Sequence, residues 1–111
     1  MTLVERRGSP RGRLNRTVSL RSDGSVLDGK LKTLSRMGAL IIASETRAVG
    51  GSLRLHLEMG AQGDPLDLLG QVIRVEPSGS SYEIVLLFAP LPPQTQSRID
   101  ALLAVEATPD P

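Results

Sequence analysis

Two short stretches of this 111-residue chain combine residue types and spacings that could do chemistry. The first is Glu5-Arg6-Arg7-Gly8-Ser9-Pro10-Arg11, in which Arg7 and Arg11 have an R-x-x-x-R spacing and Arg6 stands beside them. On a helix that spacing would put two cations on one face. Gly8, Ser9 and Pro10 oppose a helix, so the spacing belongs to a loop. A guanidinium fork makes paired hydrogen bonds to phosphate and stacks on a flat ring, which an ammonium does less well. The second stretch is Thr33-Leu34-Ser35-Arg36-Met37-Gly38. A hydroxyl followed three residues later by a glycine, at the junction of two strands, offers a donor and a point of close backbone approach. The arginine stretch can close over a compact anion.

The charge distribution agrees. Residues 1–21 hold six arginines (Arg6, Arg7, Arg11, Arg13, Arg16, Arg21) against Glu5 alone, whereas residues 22–111 hold seven basic and eleven acidic residues. A basic arm thus precedes a mildly acidic body, and such an arm suggests an anionic partner. Arg13 and Arg16 either extend the anion site or decorate the first strand. Catalysis finds little support. His56 is the sole histidine, predicted as an exposed residue on a polar strand face, and cysteine is absent, so no metal site or nucleophile pair can be assembled from these residues. No catalytic residue, metal or cofactor is assigned, and the chain reads as a non-enzyme. The lack of cysteine permits a reducing cytoplasm, where the chain is expected. No apolar run approaches the ~18 residues of a membrane helix, so direct membrane insertion is not expected.

The elements that must position these residues alternate with period two. Ser52 to Met59 alternates without a break, and Tyr82, Ile84, Leu86 and Phe88 form another such face. Val85 and Leu87 are also apolar, so that strand reads as coverable on both sides. In Leu69 to Glu76 the reading puts Leu69, Ile73 and Val75 on one face and Val72 and Arg74 on the other. Weaker strands cover Leu14 to Arg21 and Val26 to Leu34, with Gly29 as a bulge or close-approach point. Gly38 to Ala43 is a short buried strand. Asp23-Gly24 signals a tight hairpin, and Gly50-Gly51 and Ser78-Gly79 signal further turns. Strands at this spacing predict an antiparallel sandwich or barrel. Pro92-Pro93 ends the pairing, and Ile99, Leu102 and Leu103 then follow at helical spacing, which predicts one C-terminal helix starting near Pro93.

Taken in order, these features resemble the PilZ domain of bacterial cyclic di-GMP receptors. The resemblance rests on Arg6-Arg7-x-x-x-Arg11, then Leu34-Ser35-x-x-Gly38, then Gly70-Gln71-Val72-Ile73-Arg74-Val75, the strand ending in Phe88, and Ile99 to Leu103. It covers about residues 4–104. It implies an all-β fold: a six-stranded antiparallel barrel with one C-terminal α-helix. The division expected is a flexible arginine-rich arm (1–13), a PilZ-like barrel with its helix (14–104) and a disordered tail (105–111). It further implies that Arg7 and Arg11, assisted by Arg6, bind the phosphates of cyclic di-GMP and stack on guanine. Thr33, Ser35 and Gly38 would line the barrel side of the site. Thr33 departs from the family, which has Asp or Asn there; a neighbouring Asp23 or Asp28 could supply a carboxylate instead.

The resemblance implies a receptor or adaptor whose arm orders on cyclic di-GMP and which then signals to an unidentified protein partner. The alternative is a degenerate PilZ-like interaction module that binds no nucleotide, which the Thr33 departure favours. A nucleic-acid-binding barrel fits the basic arm but lacks aromatic platforms, since Tyr82 and Phe88 read as core, and no nucleic-acid partner is expected.

Overall fold

The computed structural model describes residues 11–106 and 108–109. Seven strands and one helix follow in order: β1 (Arg11–Ser22), β2 (Ser25–Ser35), β3 (Gly38–Ala43), β4 (Ser52–Leu57), β5 (Leu66–Ser78), β6 (Ser81–Phe88), α1 (Pro93–Glu106) and the two-residue β7 (Thr108–Pro109). All pairings are antiparallel. Neighbouring strands run β2-β3-β6-β5-β4-β1, and β1 pairs with β2 as well as β4, which closes a six-stranded barrel. β7 adds to β1 opposite Gly12 and Arg13. The elements therefore extend to both sides of the expected 14–104 span.

Closure follows from the alternation. Leu53, Leu55 and Leu57 of β4 point inward, as do Ile84, Leu86 and Phe88 of β6 and Leu27, Leu31 and Leu34 of β2. Ile99, Leu102 and Leu103 share one side of α1 and join the same core, so the helix packs over the barrel against β1 and β2. Each such side chain removed from water contributes about 1.5–3 kcal/mol. Hairpins form where the turn chemistry demands them: Gly24 and Gly79 both adopt positive φ, at 69° and 61°.

Two strand faces differ from the sequence reading. β5 starts at Leu66 and buries Leu66, Leu68 and Val72, whereas Leu69 and Ile73 face outward. Leu69 and Ile73 simply alternate with those inner residues, and a bulge between Val72 and Arg74 then shifts the phase so that Val75 in place of Arg74 returns to the inner side. On β6, Leu87 is exposed, so that strand is covered on one side there. Gly29 is a close-approach point: a Cβ there would meet Ile41 Cγ2 at 2.7 Å. The register shift in that strand falls two residues later, between Leu31 and Thr33.

Candidate functional site

The start of β1 and the end of β2 run side by side. Arg11 stands opposite Ser35, Gly12 opposite Leu34 and Arg13 opposite Thr33. Directly opposed Cα atoms in such a ladder are ~4.5–5.5 Å apart. The last arginine of the R-x-x-x-R spacing is thus brought to the second motif, while Arg6 and Arg7 lie outside the described residues. A bulge in β1 between Arg13 and Arg16 follows immediately and fixes where this flat segment ends.

The second motif builds its own turn. Ser35 is buried, and its Oγ accepts hydrogen bonds from the backbone N–H of Met37 at 3.0 Å and of Gly38 at 3.3 Å. This local bonding holds the β2–β3 connection in one shape. Gly38 is demanded by packing: a Cβ there would lie 2.1 Å from the Leu86 carbonyl oxygen of β6. The Met37 carbonyl accepts from the Phe88 N–H at 2.8 Å, tying the turn to β6 as well. Thr33 is half-buried, one residue before the fully buried Leu34.

Arg36, at the tip of this turn, reaches α1. Its Nε donates to Asp100 Oδ1 at 3.1 Å and Oδ2 at 3.2 Å, and its Nη2 donates to Oδ2 as well. The hydrogen bonds to Asp100 raise the Arg36 pKa further above its ordinary value. Asp100 had no informative spacing in sequence, because its partner lies on a different element far away along the chain.

Three other readings change. Arg16 neither extends the anion site nor decorates the strand. Its Nη1 donates to both carboxylate oxygens of Glu106, at 2.6 and 2.7 Å, and its Nη2 donates to the Glu58 carbonyl at 2.5 Å, which anchors the end of α1 to the barrel. A carboxylate at a helix C-terminus opposes the macrodipole, and the arginine offsets it. His56 is not freely exposed: its Nδ1 sits 2.8 Å from Asp67 Oδ1 and its Nε2 2.9 Å from Glu58 Oε2. Those two carboxylates, Glu58 first, raise its pKa, with Arg21 opposing. Asp28 and Asp23 do not replace the missing carboxylate near Thr33. Asp28 pairs with Ser19, and Asp23 lies in the β1–β2 turn at the other end of the strands.

A sequence profile of the PilZ domain matches residues 5–105. The chain belongs to the PilZ domain family. Solved structures agree on the fold of this PilZ domain. One is the PilZ domain with c-di-GMP of YcgR from Escherichia coli, at 16% identity and a TM-score of 0.73, with 91% of each chain covered. Another is YcgR in complex with c-di-GMP from Escherichia coli, at 18% identity and a TM-score of 0.71, covering 90% of this chain and 45% of that one. The Bacillus subtilis inhibitor of motility MotI/DgrA matches at 16% identity and a TM-score of 0.69, covering 85% of this chain and 47% of that one. A sequence search among curated proteins finds no match.

Proposed function

We propose that this PilZ domain is a cyclic di-GMP receptor that clasps the dinucleotide between the arginines at and before the start of β1 and the wall formed by β2 and its turn. The observation that carries the reading is the register of Arg11 opposite Ser35, which joins the two sequence motifs into one surface. Arg7 and Arg11 contact the phosphates and stack on guanine, and Arg6 assists. Thr33, Ser35 and Gly38 form the barrel side. The Ser35 hydroxyl, already accepting from two backbone amides, still has its proton to donate to the ligand.

The proposed output is a switch in which no bond is made or broken. The ligand gives the arginines a shared counter-charge and fixes the segment before β1 against the barrel. Ordering a residue costs about 1–2 kcal/mol, so several charge-assisted contacts are required. Two links lead from the site to α1: Arg36 on Asp100, and β7, which follows α1 and pairs with Gly12 and Arg13. A change at the start of β1 is therefore passed to the helix, the surface a protein partner would read.

The second reading, a PilZ-like module without nucleotide, is favoured by a specific observation. Ser35 and Gly38 both have complete structural roles, and Thr33 lacks the carboxylate that would grip a guanine edge. Calorimetry separates the two. Titration of the full chain with cyclic di-GMP, with GTP and cyclic di-AMP as controls, should give saturable heat for cyclic di-GMP alone. The double variant Arg7→Ala with Arg11→Ala should abolish it. No heat at high ligand concentration in the unaltered chain establishes the second reading.

A further inference from the structure

The arginines of the barrel are almost all engaged. Arg16 holds Glu106, Arg36 holds Asp100, Arg47 binds Thr46 and Ser25, Arg74 lies 3.7 Å from Glu76, Arg98 donates to the Asp64 carbonyl, and Arg13 also has a partner. Among arginines with described side chains, Arg21 and Arg54 have neither hydrogen bond nor ion pair. These two are directly opposite each other on β1 and β4. Like charges in that position repel, a cost to the sheet that one carboxylate in the same cleft, Asp23, offsets only in part, leaving two cations against one anion.

The pair lines an open cleft of about 460 Å³, with Ser22, Asp23, Ser52, Leu53 and Leu69 as the other walls. Asp67 and Glu58 are both bound to His56 and neither bonds Arg21 or Arg54. The cleft lies at the far end of β1 from Arg11. Ten residues of strand, at ~3.3 Å each, put it roughly 30 Å from the nucleotide site.

We propose that this cleft is a second anion site, which takes the phosphoryl group of a small molecule. Two guanidinium forks side by side present donors from both flanks to one tetrahedral group, which a single carboxylate could not occupy as fully. The Ser22 and Ser52 hydroxyls can donate from the rim. Asp23 works against an anion, so the two arginines must outweigh it. Leu69, exposed beside Arg54, offers a flat apolar floor for whatever carries the phosphate.

The test is NMR of the arginine Nε–H groups in the full chain during titration with inorganic phosphate, pyrophosphate and GMP. Saturable shifts confined to Arg21 and Arg54 are expected. Arg21→Gln and Arg54→Gln should each weaken binding about tenfold or more, and Asp23→Asn should tighten it. These side chains are exposed, so the variants should stay folded, and both arginine variants should bind cyclic di-GMP as the unaltered chain does. GMP binding no tighter than phosphate assigns the site to the phosphoryl group alone; tighter binding adds a base on Leu69. Shifts that rise linearly with concentration, or spread over all arginines, would overturn the proposal, whatever cyclic di-GMP does at the other end.

Discussion

Gly38→Ala separates what the turn motif does for the fold from what it does for a ligand. A Cβ at this position lies 2.1 Å from Leu86 O and 3.2 Å from Leu86 C. Comfortable non-bonded contact needs about 3.5 Å. The obstacle is backbone in the interior of a sheet, not the end of a flexible side chain. β3 and β6 must therefore separate by more than about 1 Å near the Gly38–Leu87 pair, which stretches ladder bonds beyond hydrogen-bond range. Overpacking of this kind costs ~1–3 kcal/mol, and each weakened bond adds ~1 kcal/mol. A total of about 2–4 kcal/mol is a large part of the ~5–15 kcal/mol that holds a domain folded. At ~4–8 °C per kcal/mol for a domain near this size, Tm should fall by roughly 10–30 °C. Thermal and urea unfolding measure it, with Gly51→Ala as the control, since its Cβ would lie 3.2 Å from Ala48 O at an exposed turn. The control should change stability by less than ~1 kcal/mol. A Gly38→Ala protein with unchanged Tm would refute the packing argument. If it also lost cyclic di-GMP binding, the glycine would be there for the ligand.

Thr33→Asp should tighten cyclic di-GMP binding by about 5- to 150-fold, the equivalent of a base-edge contact of ~1–3 kcal/mol, and calorimetry showing equal or weaker binding would place base recognition elsewhere. His56 should make stability depend on pH. Its folded pKa is raised by Glu58 and Asp67, so its contribution is complete below the unfolded value of 6.5 and is lost as pH rises through the higher folded value. The urea midpoint should thus decline above pH 6.5 more steeply than in His56→Gln, and equal slopes would show that the carboxylates do not hold a charged imidazole. Arg36→Ala and Asp100→Asn should each lower Tm non-additively, and additive losses in the double variant would mean the turn and α1 are not coupled through this pair.

Alternation made the strands legible and left sandwich and barrel both open: Leu53-x-Leu55-x-Leu57 and Ile84-x-Leu86-x-Phe88 mark inner faces, and the closed barrel is what the family resemblance implied. It failed where the period slips. The bulge at Val72–Arg74 leaves no mark that hydrophobicity can register, so a strict period of two through the inward Val75 places Ile73 and Leu69 on the same face, whereas the structure turns both outward. The site divides in the same way. The motif Ser35-x-x-Gly38 was visible because its interactions are local, within three residues. Arg36 on Asp100 and Arg16 on Glu106 span 64 and 90 residues, and His56 on Asp67 depends on the register between β4 and β5. None of these separations carries a sequence signal.

Counting arginines near the N-terminus also grouped residues with opposite tasks. A strand of twelve residues carries its two ends far apart, so a run of positive charge that looks like one patch in sequence becomes several sites in space. Arg11 stays with the turn motif, Arg16 becomes a tether for α1, and Arg21 is delivered to Arg54 at the distal cleft. Tethering commits Arg16 to the end of α1, because releasing it would remove the cation that offsets the Glu106 charge against the helix dipole. Arg21 has no such commitment. Of the β1 charge, the ends therefore remain for partners outside the fold, and those ends are where the two proposed anion sites lie.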